Sequence, residues 1–170
     1  MMPDDPNPIP HPLLSAEAIA TMPEDRIVHP LNARAIRQTK SLAAAVGCIH
    51  LGVHLVRVEP GHDSTEHHRH RGEEEFLYIL AGRGIATIGD LTFEVKAGDF
   101  MGFPPDSLAH SMTNPFSEDL VYLMGGTNLD YDVCDYPNLG KRLYRVGDRR
   151  RYVDLDPVQG DRPDAALEAE

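Results

Sequence analysis

Apolar and polar positions alternate in short runs through the middle of this chain, and turn residues punctuate the runs at close intervals. Residues 49–59 alternate up to Pro60-Gly61. One face of that strand would carry Ile49, Leu51, Val53 and Leu55, running on to Arg57 and Glu59, and the other His50, His54, Val56 and Val58. Residues 76–80 read as the next strand. Residues 85–88 and 91–95 follow, joined at Gly89-Asp90, a strong hairpin signal. Residues 100–103 are stopped by Pro104-Pro105, and strands over 109–113 and 120–124 complete the set before Gly125-Gly126. Helical signals lie upstream. Residues 15–20 form a short helix with Ser15 as N-cap and Pro23 beyond it, and Ser41 to Gly47 is good for one or two turns. Between them the pattern is mixed, with an edge strand expected near 34–38. So many short strands predict an all-β, closed or double-sheet architecture.

The stretch from Gly61 to Gly82, GHDSTEHHRHRGEEEFLYILAG, concentrates the candidate chemistry. Four histidines and four glutamates fall between Gly61 and Glu75. Imidazole nitrogens with a carboxylate oxygen are donors that divalent metals take. Strand side chains alternate faces, so His68 and His70 share one face with Glu66, while His67 and Arg69 share the other. Ligands must converge, which selects His68 and His70. A turn at Arg71-Gly72 would fold the following strand back beside the histidines and bring Glu75 to the same ion. Leu77 and Ile79 share the face of Glu75 and would floor a pocket with apolar surface. His54 could line that pocket, although a lone strand histidine is more often a satisfied core or surface residue.

Gly61, His68-x-His70 and Glu75-x6-Gly82 resemble the first motif of the cupin superfamily, with a gap from Gly61 to His68 one residue longer than usual. Gly98-x5-Pro104 and His110-x3-Asn114 resemble the second motif, with Asp106 where a glycine is usual and the spacer to His110 long by one residue. The resemblance covers about residues 51–126. It implies a cupin-type jelly-roll β-barrel, a double-stranded β-helix, to which the chain adds the short helices and an extended Pro-rich N-terminal arm. It also implies His110 as a fourth ligand beside His68, His70 and Glu75. Tyr136-Pro137-Asn138 resembles a Tyr-Pro-Asp segment of one group of small bacterial cupins, mostly uncharacterised and sometimes labelled sugar phosphate isomerase, with Asn138 replacing the aspartate.

Three imidazoles and one carboxylate leave an ion open positions, which suit a reactive or ligand-binding centre. Zinc, iron, nickel, manganese and copper all fit the donors, at one divalent ion per chain. Two functional classes follow. One is a metal-dependent enzyme, of isomerase, dioxygenase, decarboxylase or lyase type, acting on a small anionic or oxygen-rich molecule. The other is a non-catalytic metal-bearing binding or sensor module. His54, Tyr122 and Glu66 are the available general acids or bases. Neither Ser64 nor Ser111 sits in a nucleophile motif, and Gly82-Arg83-Gly84 lies between strands, so no phosphate loop is present.

The 170 residues divide into a Pro-rich arm (1–14), an extension with short helices and the edge strand (15–47), the barrel (48–126), a C-terminal extension (127–153) and an acidic mobile tail (154–170). The formal net charge of −11 disfavours nucleic-acid binding. No apolar run is long enough for a membrane span, no secretory pattern opens the chain, and Cys48 and Cys134 form no CxxC pair. A cytoplasmic protein with two buried thiols is expected. Residues 141–151 carry six basic side chains against one aspartate. They are expected to be a solvated segment neutralised by the acidic body, with an anion-binding edge as the alternative. A homodimer is expected, because sheet edges need cover and the arm and the segment after Gly126 are spare.

Overall fold

The computed structural model describes residues 10–155; the Pro-rich arm over 1–9 and the acidic tail over 156–170 lie outside the described residues. Ser15 caps α1 (Ala16–Thr21), its hydroxyl accepting from the Ala18 amide at 3.2 Å. A hairpin of β1 (Asp25–His29) and β2 (Asn32–Ser41) stands where one edge strand was expected. Ser41 precedes α2 (Leu42–Ala45) but does not cap it; its hydroxyl meets His54 Nδ1 at 3.1 Å instead.

The barrel strands are β3 (Leu51–Val58), β4 (Arg69–His70), β5 (Glu75–Ala81), β6 (Arg83–Ile88), β7 (Leu91–Lys96), β8 (Phe100–Phe103), β9 (His110–Thr113) and β10 (Leu120–Thr127). β10 runs past the two glycines expected to end it. A Cβ on Gly126 would lie 2.0 Å from the Glu74 carbonyl oxygen and one on Gly125 2.5 Å from the Phe76 ring, so close packing demands both glycines. Beyond them the chain forms a meander that periodicity did not reveal: β11 (Tyr131–Tyr136), β12 (Lys141–Val146) and β13 (Arg149–Asp154).

One sheet has the order β1-β2-β3-β10-β5-β8. The others are β13-β12-β11-β4 and β7-β6-β9. These two meet where His68 and His110 exchange backbone hydrogen bonds of 3.1 and 2.7 Å, so both histidines lie on the seam. The core joins Val56 and Val58 of β3 and Ile79 of β5 to Ala86 of β6, Val95 of β7 and Met112 of β9. Fully burying a side chain such as Val56 or Ile79 is worth about 1.5–3 kcal/mol. The outward residues of β3 behave as alternation requires: Arg57 leaves the core and pairs with Glu24, Glu59 and Asp119. Among the described residues no helix is long and apolar enough to cross a membrane. Cys134 is buried and free; Cys48, expected to be buried, is exposed, because it follows α2 in a loop outside the core.

The expected turn at Arg71-Gly72 does not pair β4 with β5. β4 joins β11, and β5 lies between β10 and β8 in the other sheet. Residues 71–74 cross from one sheet to the other, and the amides of Gly72 and Glu73 both donate to Asp132 Oδ1, at 3.0 and 3.2 Å. Glu75 therefore faces the histidines across the barrel interior rather than from a neighbouring strand.

Candidate metal centre

The structure brings His68, His70, Glu75 and His110 together. His68 Nε2 lies 3.2 Å from His70 Nε2, Glu75 Oε2 lies 2.8 Å from His110 Nε2, and His70 Nε2 lies 3.9 Å from Glu75 Oε2. Donor atoms of His68, Glu75 and His110 all fall within 4.8 Å of one another. His68 and His70 point into one cluster, as strand parity expected. His67, one residue earlier, turns to Ser111 Oγ at 3.3 Å.

Each imidazole is held from behind. His68 Nδ1 donates to the Glu66 carbonyl at 2.9 Å, which leaves Nε2 with its lone pair toward the cluster. His70 Nδ1 donates to Asp132 Oδ2 at 2.6 Å, with the same consequence. His110 lies flat on the Phe103 ring, 3.6 Å between centroids and 8° between planes. Its Nδ1 is buried without a partner among the described residues.

Electrostatics single out an electron-rich spot. Burial, helped by His110, pushes His68 down to about 3, so it is neutral. Burial also opposes charge on His70, but the Asp132 hydrogen bond, Cys134 and Glu75 outweigh it and raise its pKa to about 11. Burial would raise Glu75, yet the His110 hydrogen bond and the surrounding imidazoles bring it down to about 2. Two imidazole lone pairs cannot face each other at 3.2 Å without a positive charge between them. A proton on His70 or a metal ion meets that need, and the donors fit a transition metal.

Asp132 was missed by the sequence reading. It is 3% exposed on β11, beyond both motifs, and nothing in the local pattern sets it apart from Asp130 or Asp135. Cys134 Sγ sits 3.6 Å from His70 Nδ1 and joins His68 and His70 in a second possible donor group. Tyr136 stacks on His68, 6.1 Å between centroids.

A cavity of about 650 Å³ opens beside the cluster. Leu77 lines it as expected and Met112 joins it, whereas Ile79 is fully buried and does not line it. His54 also lines it, against the more common fate of a strand histidine, because Val56 and Val58 fix its face of β3 inward. Tyr122 reaches it as well. Glu66 does not, since only its carbonyl serves the site. Half of the basic segment is paired: Arg142 with Asp135, Arg145 with Glu73 and Lys141 with Asp154.

The family model for the cupin domain matches residues 54–126. A structure from Acidithiobacillus ferrooxidans, described as a "putative sugar phosphate isomerase", is 45% identical, with 88% of this chain and 96% of that one covered and a TM-score of 0.84. The chain belongs to the cupin superfamily. The fold of this cupin is shared by a structure from Silicibacter pomeroyi described as a sugar phosphate isomerase from a cupin superfamily: 24% identical, 86% and 94% covered, TM-score 0.75. The oxalate-binding protein of Thermotoga maritima is 35% identical over 68 residues, 40% of this chain and 54% of that protein. The chain spans about half the length of the curated relatives it matches.

Proposed function

We propose that this cupin binds one divalent transition-metal ion through His68, His70, Glu75 and His110 and acts as a metal-dependent enzyme on a small, oxygen-rich molecule. The observation that carries the metal is the 3.2 Å approach of His68 Nε2 to His70 Nε2 while the other nitrogen of each ring donates to an oxygen. A bound divalent ion would polarise hydroxyl or carbonyl oxygens and lower the pKa of a hydroxyl or water. The chain supplies the rest. His54, kept neutral by burial first and then by the Arg37 charge, is the proton acceptor, and the Ser41 hydroxyl holds its Nδ1. Leu77 and Met112 exclude water from the ligand's apolar body. Likeness to the Acidithiobacillus ferrooxidans structure over nearly its full length favours isomerase-type chemistry on a sugar phosphate or a similar hydroxylated anion.

Elemental analysis of purified protein should give close to one metal per chain. His68→Ala and His110→Ala should lose it, and His67→Ala should keep it. Metal-free protein after reconstitution would end this reading. The alternative is a non-catalytic, metal-bearing binding module, favoured by the segment shared with the oxalate-binding protein. Tight, metal-dependent binding of oxalate with no turnover of any sugar phosphate would select it.

A further inference from the structure

The cavity has a second polar pole on β2. Antiparallel pairing sets Thr39 opposite Val56 and Ser41 opposite His54, so the inward face of β2 runs Ala35, Arg37, Thr39, Ser41. Arg37 and its β1 partner Ile27 both line the cavity. Arg37 Nη1 donates to the Ser64 carbonyl at 3.2 Å, and its Nε is buried with no hydrogen-bond partner. No carboxylate among the described residues forms an ion pair with this guanidinium. Other arginines of this acidic chain are well supplied: Arg57 has three carboxylates, Arg142 has Asp135 and Arg145 has Glu73.

The Arg37 charge is felt by His29, His54 and Tyr122. Burial first, and the Arg37 charge second, drive His29 down to about 4 and lower His54 as well. His54 is also influenced by Glu75, and it lines the same cavity as Arg37 and the His–Glu cluster. A guanidinium turned into a cavity without a counter-charge is unfavourable. Its planar fork is the natural complement of a carboxylate or phosphate. A cavity of about 650 Å³ has room for a ligand that touches both poles.

We propose that Arg37 is an oxyanion anchor, which binds the carboxylate or phosphate of a ligand whose hydroxyl or carbonyl oxygens reach the His68–His70–Glu75–His110 cluster. The anchor stands on the geometry of β2; only the placement of the ligand's other end rests on the metal reading above. The ligand class is then a hydroxylated anion rather than a neutral sugar or alcohol.

A matched set of probes tests this: glycerol, glycerate and glycerol 3-phosphate share a diol and differ in the anion. Calorimetric titration into the metal-loaded full chain should show one or both anions binding ~10- to 100-fold more tightly than glycerol, the scale of a charged hydrogen-bonded contact. A gain for one anion alone supports the anchor and tells carboxylate from phosphate. Arg37→Gln should abolish the gain and leave metal content and circular dichroism unchanged. Should that variant not fold, the wild-type protein decides: the Arg37 Nε–H resonance should shift with the anions and not with glycerol. Binding of neither anion, retention of the gain in Arg37→Gln, or a silent Nε–H resonance overturns the anchor. A repeat on chelated protein separates the two proposals. An anion gain that survives chelation and falls with Arg37→Gln keeps the anchor and removes the metal from recognition. Metal-dependent binding untouched by Arg37→Gln does the reverse.

Discussion

A single side chain decides the polarity of His70. His70 is aimed by Asp132, whose Oδ2 takes the imidazole Nδ1–H while Oδ1 takes two backbone amides of the 71–74 crossing. Asp132→Asn keeps one carbonyl oxygen for those amides but removes the charge behind the ring. Its metal affinity should fall about 10- to 100-fold with the fold intact, read by competition with a chromophoric chelator. Unchanged affinity would mean the Asp132 contact does not tune His70. Asp106 holds the backbone of His70. It stands where the cupin motif has glycine and adopts φ +62°, a region that side chains other than Asn and Asp seldom enter. Its amide bonds the His70 carbonyl at 2.9 Å and its carboxylate accepts from Arg71 at 2.7 Å, which offsets the strain.

At the level of elements, β4 is only two residues long and depends on β11 beside it. Asp135 of β11 ties β4 to its surroundings: it pairs with Arg69 of β4 at 3.5 Å and accepts from Arg71 Nε just after β4 at 2.8 Å and from Arg142 Nε of β12 at 2.6 Å. Burial alone would raise the Asp135 carboxyl, but Arg142 and Arg71 outweigh it and hold it below its ordinary value. A carboxylate lowered in the folded state stabilises fully above its unfolded pKa of about 3.9. That contribution is lost as pH falls through the lower, folded value. Asp135→Asn should therefore destabilise by about 3 kcal/mol at pH 7, the low end for breaking a buried pair because both arginines are partly exposed. Urea unfolding at neutral pH and below pH 4 should show the wild-type advantage shrinking toward acid. A gap independent of pH would assign the loss to packing.

On the scale of the whole molecule, the two layers enclose the cavity and leave β1, β8, β7 and β13 as sheet ends. Open edges invite pairing, so a dimer is the expected state at micromolar concentration by analytical ultracentrifugation. A monomer there would remove it. Deleting residues 1–12 shows whether the leader contributes. The segment after Gly126 is already engaged within its own chain, where it carries β11 to the side of β4.

Local rules made much of this legible in the sequence. Period-2 alternation placed the barrel strands and their faces, chose His68 and His70 over His67, and set Leu77 inward. Turn residues such as Gly89-Asp90 marked the hairpin because backbone conformation there is a local matter. Ser15 identified a helix start for the same reason. What lay outside reach was pairing between distant segments. Whether β4 joins β5 or β11 depends on which edges meet in space, and no short-range pattern encodes it. Asp132, Arg37 and His54 come together only through such pairing: 62 residues separate His70 from Asp132, and Arg37 lines the same cavity as the cluster. The sequence by itself determined the barrel strands and put His68 and His70 on one face, since those follow from neighbours along the chain. Tertiary structure alone decided what stands behind each of these histidines and what else lines the cavity, because those contacts exist only once distant strands meet.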